Sequence, residues 1–546
     1  MRFVSVEEMR QMDKYAIEEY KIAGYELMER AGRGVAEKIV EFLHNIEFDC
    51  YPRRRFIILA GKGNNGGDAY VVARYLSYLM SYSEVIIYSV CNITELGGDA
   101  LINANTILHE HPQIIVHENI DAIKIEFEAN DIVIDGLLGT GLNGTLREPY
   151  SSIINLLNSK NLITIAIDLP SGMNGDNGFP IGYDVEQISD QNIFELPMLR
   201  ADLTVTIGAP KWGLIGKIGA EYCGHVKLVD IGLKFFDSAT ENEMIFSEDI
   251  VNYFKRPSVY NHKNSVGRVL CVAGSKQYPG AAFLGALTAL RGGAGFVNLA
   301  VPESANIINN SGMHSLVMHQ ILDNETGVFS GESVPQLATI INNVDAIIIG
   351  SGITTDTENI DVLEYIRDNV ENKAVIYDAD ALNLISQNPD LLLSEFQKNI
   401  NILTPHVGEM NRLLDAFKIE NYINLSRIEQ AVGLAQKTSS IIVLKGHHTV
   451  IAIPEGKFNI NSSGSVALAT AGTGDCLAGI IGAFTSKVRI KDDWRLNFNN
   501  FFMAASMAVF IHGFAAEIYP YAKRSFVADD LLEYIPQAMK KLSFFA

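Results

Sequence analysis

The sequence predicts an α/β protein of two domains, each built on a mostly parallel sheet, and three observations carry that expectation. Its 546 residues exceed the roughly 250–300 at which a single hydrophobic core splits into domains. Short apolar runs alternate with amphipathic stretches of helix length, the pattern of βαβ units. That alternation pauses once, at the polar and acidic FFDSATENEM (residues 235–244), and then restarts.

Two helical patterns, Val6 to Tyr20 and Tyr25 to Leu43, come before the first strand. FIILA, EVIIYSV, DIVIDGLL, LITIAIDLP and DLTVTIG then read as strands, with VVARYLSYLM and SSIINLLNS as helices among them. After the pause the strands are RVLCVAGS, FVNLAVP, DAIIIGSG, KAVIYDADAL, INILTPH and SIIVLKG, with a helix through Gly285 to Leu290. GTGDCLAG opens a further helix, and an amphipathic helix from Ala528 to Leu542 closes the chain. Phe501 to Tyr519 is long and apolar enough to cross a membrane. His512 and Glu517 interrupt it, so a buried core helix is expected.

Hydrophobic residues make up 48% and charged residues 20%, the balance of packed globular protein. Lys and Arg number 43 against 64 Asp and Glu, a net charge of −21, which repels nucleic acid and anionic membrane surfaces. A phosphate-bearing small molecule must then be held locally, by backbone amides, helix N-termini and a few placed cations. Cys50, Cys91, Cys223, Cys271 and Cys476 are scattered and form no CxxC pair, as in a reduced, cytoplasmic setting. The N-terminal MRFVSVEEMRQMDK has no apolar stretch of the signal-peptide kind, so no export is expected.

The first chemical cluster follows the strand FIILA, at the strand end where open α/β sheets bind ligands. In GKGNNGGDAY, Gly61, Gly63, Gly66 and Gly67 permit close backbone approach, while Asn64, Asn65 and Asp68 add donors and oxygens. A tight strand-to-helix turn would use the same residues. DIVIDGLLGTGLNGT ends a second strand with Asp135 and a glycine-rich loop, and ITIAIDLPSGMNG ends a third with Asp168 and Ser171. These ends should meet on one sheet edge. A carboxylate, an amide oxygen and a hydroxyl converging there suit a hard cation, monovalent or divalent. Asp168, its backbone constrained by Pro170, is a candidate general acid or base.

LMERAG (27–32), GKGNNGGD (61–68), DGLLGTGL (135–142), DLPSG (168–172) and GAPKWG (208–213), in that order, resemble the YjeF N-terminal family of NAD(P)H-hydrate epimerases. The resemblance implies a Rossmann-like three-layer αβα sandwich over residues 1–237. It also implies a potassium ion on Asn65, Asp135 and Ser171. Contacts to the hydrated cofactor would come from Asn64, Asn65, Gly66, Gly67, Asp68, Gly139, Thr140, Gly141, Leu142, Asn143, Gly144, Thr145 and Asp168, with Asp168 moving the proton that interconverts the R and S forms at C6. Leu169 stands where that family often has Ile or Val.

The second cluster is ATAGTGDCLAGIIGAF (469–484). Gly472, Thr473 and Gly474 sit where a helix begins, so amides and helix dipole form an anion hole for a phosphoryl group. Asp475 follows, placed to take a proton from a hydroxyl attacking phosphorus. An Asp in a first helical turn also serves simply as a favourable charge. GTGD resembles the ribokinase-like superfamily. With GSKQYPGAAFLGALTALRGGAGFVNLAVP (274–302), IIIGSGIT (347–354), DADALN (378–383), TPHVGEMNRLL (404–414) and VLKGHHTVI (443–451), the segment resembles the ADP- or ATP-dependent NAD(P)H-hydrate dehydratases.

That second resemblance implies a ribokinase-like α/β domain over residues 245–546. Lys445, Gly446, His447, His448, Thr449, Gly472, Thr473 and Gly474 would hold the adenine nucleotide. Ala281, Gly352, His406 and Asp475 would face the hydrated nicotinamide. The implied reaction phosphorylates the C6 hydroxyl with ADP or ATP and Mg²⁺ and then expels phosphate, with Glu409 and Asp380 helping to hold the magnesium. Ser351, Ile353 and Thr354 depart from the usual family loop. The expected partners are hydrated NADH and NADPH, ADP or ATP, and further copies of the chain as a homo-oligomer, without nucleic acid or membrane. The competing expectation is a vitamin kinase fused to a non-catalytic module. The intact NNGGD, Asp135 and DLPSG set speaks against it.

Overall fold

Strands that are apolar at every position, such as FIILA and AIII, must be covered on both faces, and that demand sets the architecture. The computed structural model describes residues 2–543 except 46–53, 142–143, 184–195, 236–241, 255–259, 261–265, 309–313, 394–397, 423–424 and 489–493. The chain divides into two compact units, Met1–Met244 and Ile245–Ala546. Most of the polar stretch 235–244 lies outside the described residues.

The first unit holds β1 (Arg55–Ala60), β2 (Glu84–Ser89), β3 (Ile115–His117), β4 (Ile132–Gly136), β5 (Ile163–Ile167), β6 (Leu203–Ile207) and β7 (His225–Val229). They lie in the order β3-β2-β1-β4-β5-β6-β7, all parallel. Alternate β1 residues point to opposite faces. Phe56, Ile58 and Ala60 join a core with the helices Gly24–Asn45, Asn64–Leu79 and Gly98–Glu110. Ile57 and Leu59 join another core with the helix Tyr150–Asn158. The result is a three-layer αβα sandwich. The strand order reverses between β1 and β4, which opens a crevice beyond their carboxyl ends.

The second unit holds β9 (Arg268–Val272), β10 (Phe296–Pro302), β11 (Val317–Ile321), β12 (Ala346–Ile349), β13 (Ala374–Tyr377), β14 (Ile400–Leu403) and β15 (Ile441–Leu444), parallel in the order β11-β10-β9-β12-β13-β14-β15. That is the winding of the first unit repeated. The sheet then continues antiparallel through β16 (Val450–Ala452) and β17 (Phe458–Asn461), ending on the short strand β8 (Glu243–Ile245). The helices Ala281–Arg291, Thr473–Thr485, Trp494–Glu517 and Leu531–Leu542 share one core with the sheet. The apolar Trp494–Glu517 helix is therefore a buried core element, as its sequence suggested.

Candidate functional site

In the first unit three strand ends meet at the switch point. After β1, the chain turns through Gly61–Gly63 into the helix Asn64–Leu79, whose cap Gly63 makes no side-chain hydrogen bond, leaving first-turn amides as donors at the crevice. The glycines divide in purpose. A Cβ on Gly61 would lie 1.8 Å from the Leu137 carbonyl oxygen, and one on Gly66 would lie 1.9 Å from that of Gly61. Gly67 is packed on the Met28 side chain, whereas Gly63 has nothing within 4 Å. Gly61, Gly66 and Gly67 thus serve packing, and Gly63 is the open one.

A cavity of about 550 Å³ occupies the crevice. Of the residues expected to contact substrate, Asn64, Asn65, Asp68, Gly139, Thr140, Gly141 and Asp168 line it. Gly66, Gly67, Gly144 and Thr145 do not, and Leu142 and Asn143 lie outside the described residues. Asp168 sits in the left-handed region, φ 66°, with the Leu169 amide donating to the Ile167 carbonyl at 2.8 Å, a strained γ-turn. Its Oδ1 accepts from the Lys211 ammonium and from the Ile207 amide at 3.1 Å.

Lys211, almost fully buried, was the residue missed in the sequence. It stands inside GAPKWG, and the signal was a lone cation among small and apolar residues just past β6. Its ammonium also donates to the Ile207 carbonyl at 2.8 Å and to Thr206 at 3.3 Å. Asp68 and Asp13 share the cavity with this ion pair. Burial, with neighbouring carboxylates, holds Asp68 well above the usual carboxylate range and pushes Asp13 up to about 6.

Asn65, Asp135 and Ser171 are brought together as one oxygen cluster. The Ser171 amide and hydroxyl donate to Asp135 at 2.8 and 2.6 Å, and the Leu138 amide donates to the Ser171 oxygen at 2.9 Å. Asn65 Nδ2 donates to the Leu138 carbonyl at 3.1 Å, while its buried Oδ1 has no hydrogen-bond partner. Asp135 is fully buried and burial pushes it up to about 6. An orphaned amide oxygen beside a buried carboxyl, a hydroxyl and a carbonyl is a donor set that fits a hard monovalent cation.

In the second unit the carboxyl ends of β13, β14 and β15 face the start of the helix Thr473–Thr485. Lys445, just past β15, donates to Asp378 at 2.8 Å, and its ammonium lies 3.9 Å from Glu409. Thr404 donates to the same Asp378 oxygen at 2.7 Å. The Lys445 ammonium is 3.3 Å from where a Cβ on Gly474 would stand, so any side chain there would crowd it. Gly472 caps this helix at φ 91°, a conformation that favours glycine. Asp475 follows in the first turn, and burial beside Asp378 pushes it up to about 6.

Thr473 is occupied structurally, its hydroxyl donating to the Leu468 and Thr470 carbonyls, each at 2.9 Å. His512, from the core helix, contacts the Thr473 carbonyl through Nε2 at 2.9 Å; burial brings it down to about 4, so it is a neutral donor. His406 caps the helix Val407–Ala416. Its Nδ1 accepts from the Gly408 and Glu409 amides at 2.9 and 3.3 Å, and Glu409 accepts reciprocally from the His406 amide at 2.8 Å. Ala281 and Gly352 are in contact, a Cβ on Gly352 falling 2.8 Å from that of Ala281.

The loop carrying Gly446, His447, His448 and Thr449 is tied down by Arg427, which donates to the carbonyls of Leu444, Lys445 and His447 at 3.1, 3.2 and 2.5 Å. Thr449 donates to the Gly446 carbonyl at 2.9 Å. Asp380 accepts from the Thr354 amide at 2.9 Å. Among the described residues no group of three or more His, Cys, Asp and Glu is placed to hold a metal ion, so Glu409 and Asp380 do not form a protein-only magnesium cage.

Comparison with known proteins matches two families to these two units. The family described as YjeF-related protein N-terminus matches residues 24–213, and the NAD(P)H-hydrate dehydratase family matches residues 269–537. The bifunctional NAD(P)H-hydrate repair enzyme of Moorella thermoacetica is 32% identical over 99% of this chain and 97% of its own. The chain belongs to the bifunctional NAD(P)H-hydrate repair enzyme family. The Salinibacter ruber member is also 32% identical, over 97% of this chain and 94% of its own. Among solved structures, a ribokinase-like superfamily protein from Enterococcus faecalis is 22% identical, with 56% of this chain and 98% of the other covered at a TM-score of 0.47. The chain is thus an enzyme with an epimerase domain and a dehydratase domain.

Proposed function

We propose that the first unit interconverts the R and S forms of hydrated NADH and NADPH at C6, and that the second dehydrates the S form with ADP or ATP. The observation that carries the dehydratase assignment is the Lys445 ammonium beside Gly474, over the helix start that also presents Asp475. Amides of Gly472, Thr473 and Gly474 with Lys445 neutralise charge on a transferring phosphoryl group, while Asp475 takes the proton of the attacking C6 hydroxyl. Loss of phosphate from C6 together with a proton from C5 then restores the dihydronicotinamide. Asp378, buried and bonded to Lys445 and Thr404, positions the ammonium. The Lys445–Thr449 loop, braced by Arg427, supports the adenine nucleotide, and Ala281, Gly352 and His406 border the nicotinamide. Magnesium arrives with the nucleotide phosphates.

In the epimerase unit Asp168, oriented by Lys211 and the Ile207 amide, takes up the proton released when water re-adds to the opposite face of C6, after the C6–O bond has broken to give water and an N1=C6 iminium. The carboxamide and phosphates of the substrate meet Asn64, Asn65, Asp68 and the Gly139–Gly141 turn. A potassium ion on Asn65, Asp135 and Ser171 supplies fixed positive charge where Asp135 would otherwise be a buried anion. If the dehydratase accepts one epimer only, the fusion lets one chain clear the whole damaged pool. The buried thiols of Cys91, Cys223, Cys271 and Cys476 fit a cytoplasmic setting.

The test is an assay with R and S hydrated NADH, Mg²⁺ and ADP or ATP, following recovery of reduced-nicotinamide absorbance. Recovery of the S form without added partner supports the proposal. Phosphorylation of a vitamin with no recovery contradicts it.

A further inference from the structure

We propose that Asp13, on the N-terminal helix Val6–Glu18, is a second catalytic carboxyl of the epimerase site, the acid that works against Asp168. The proposal rests on the epimerase role given to Asp168. The helix precedes the segment that the family comparison covers, residues 24–213, yet it forms a wall of the same cavity through Met9, Arg10, Asp13 and Ile17. Three bonds fix its placement. The Val4 amide donates to the Pro210 carbonyl at 3.0 Å, immediately before Lys211, the Val6 amide donates to Asp176 at 2.7 Å, and Arg10 donates to the Thr140 carbonyl at 2.7 Å.

Met9, Met12, Asp13, Ala16 and Ile17 fall at the i, i+3, i+4, i+7, i+8 spacing of one helix face. Met9, Met12 and Ala16 are buried, whereas Asp13 is half-buried and Ile17 exposed, so this edge of the face meets the cavity and not the core. The charged groups bordering the cavity with it are Lys211, Asp168, Asp68 and Asp99, with Arg10 on its own helix and Lys62 after β1. The Lys211 ammonium is committed to Asp168. That bond assigns Asp168 the role of base in the proposal and leaves the role of acid to another carboxyl of the cavity. Burial raises Asp13 to about 6, the range in which it can give a proton and take it back near neutrality.

The step balances as loss and return of water. The Asp13 carboxyl gives its proton to the C6 hydroxyl, the C6–O bond breaks with its electron pair leaving on water, and the N1 lone pair forms the N1=C6 bond. Water then adds to the opposite face of C6, the N1=C6 pair returns to N1, and the surplus proton passes to Asp168. Proton exchange between the two carboxyls through solvent resets the site.

The test uses the full chain with R hydrated NADH. In D13N the R-to-S rate falls about 10²–10⁴-fold, and the fall of the wild-type rate with rising pH, as the acid deprotonates, disappears. D13E restores part of the rate. Dehydration of the S form and the melting temperature stay at wild-type values. Wild-type turnover in D13N, or a loss of rate with the pH profile unmoved, overturns the proposal. D168N separates the two ideas. If D168N stops R-form conversion and D13N does not, only the role of Asp13 falls; if D168N also leaves it intact, the epimerase site itself is misassigned.

Discussion

The two units wind seven parallel strands in the same order, 3-2-1-4-5-6-7, and still carry different chemistry. In the first, Asp168, the carboxylate proposed to move protons, stands on a strained turn beyond β5, held by a buried lysine. In the second, Asp475, the carboxylate proposed for phosphoryl transfer, stands on the first turn of a helix, beside a lysine whose partner is a different carboxylate, Asp378. The winding therefore fixes the edge at which a ligand binds, and the placement of one lysine relative to the carboxylates decides the task. Three carboxyls around Lys211 make a cavity suited to moving protons. A lysine over a helix N-terminus makes one suited to phosphate.

The sharpest way to break the comparison is to remove each carboxylate. D475N should lower S-form dehydration by about 10²–10⁴-fold while epimerisation continues, read from absorbance recovery and from chromatography of the two epimers. The lysines should differ as their partners do. K211M leaves buried carboxyls without a cation and should cost about 3–5 kcal/mol, seen as an early melting transition with loss of epimerisation. K445M strands Asp378, which is more deeply buried than Asp168, so it should lower the melting temperature as well as raise the nucleotide KM, Lys445 being the ammonium beside the phosphate-binding amides.

A smaller contrast lies within one motif. G66A must displace the Gly61 carbonyl and should destabilise by about 1–3 kcal/mol, whereas G63A, with open space around it, should leave the melting temperature unchanged and weaken substrate binding. The smallest effect is ionic. Asp135 rises to about 6, above its unfolded value, so folding favours its protonated form and its cost to stability grows as pH climbs from about 4 through 6. A cation binds the ionised form. Potassium should therefore raise the melting temperature at pH 8 and lose that effect at pH 5; equal shifts at both would remove Asp135 from the ion site.

Much of this was legible in the chain. Fully apolar strands with helices between them announced two wound sheets, and GTGD announced the helix start found at Gly472 and Thr473. DLPSG and NNGGD likewise lie at strand ends, where function concentrates. The placement of Lys211, Asp13 and Arg427 was not legible in the sequence. Lys211 and Arg427 bond to other segments of the chain, Asp13 meets the cavity only through the fold, and each looks in its own segment like an ordinary polar residue on a helix or turn. The antiparallel strands β16 and β17 were missed because three or four residues give too short a period to read. The glycines of GKGNNGGD could not be divided between ligand and packing in the sequence, since their packing partners Leu137 and Met28 come from elsewhere in the chain.

The most direct measurement is a time course of a mixed R and S hydrated NADH pool with ATP or ADP and Mg²⁺, resolved by chromatography, for the wild-type chain, D168N and D475N. The wild type should clear both forms. D168N should clear the S form and leave the R form to its uncatalysed rate, and D475N should equilibrate the two with no NADH recovered. Clearance of both forms by D168N, or recovery of NADH by D475N, would contradict the division of labour between the two units.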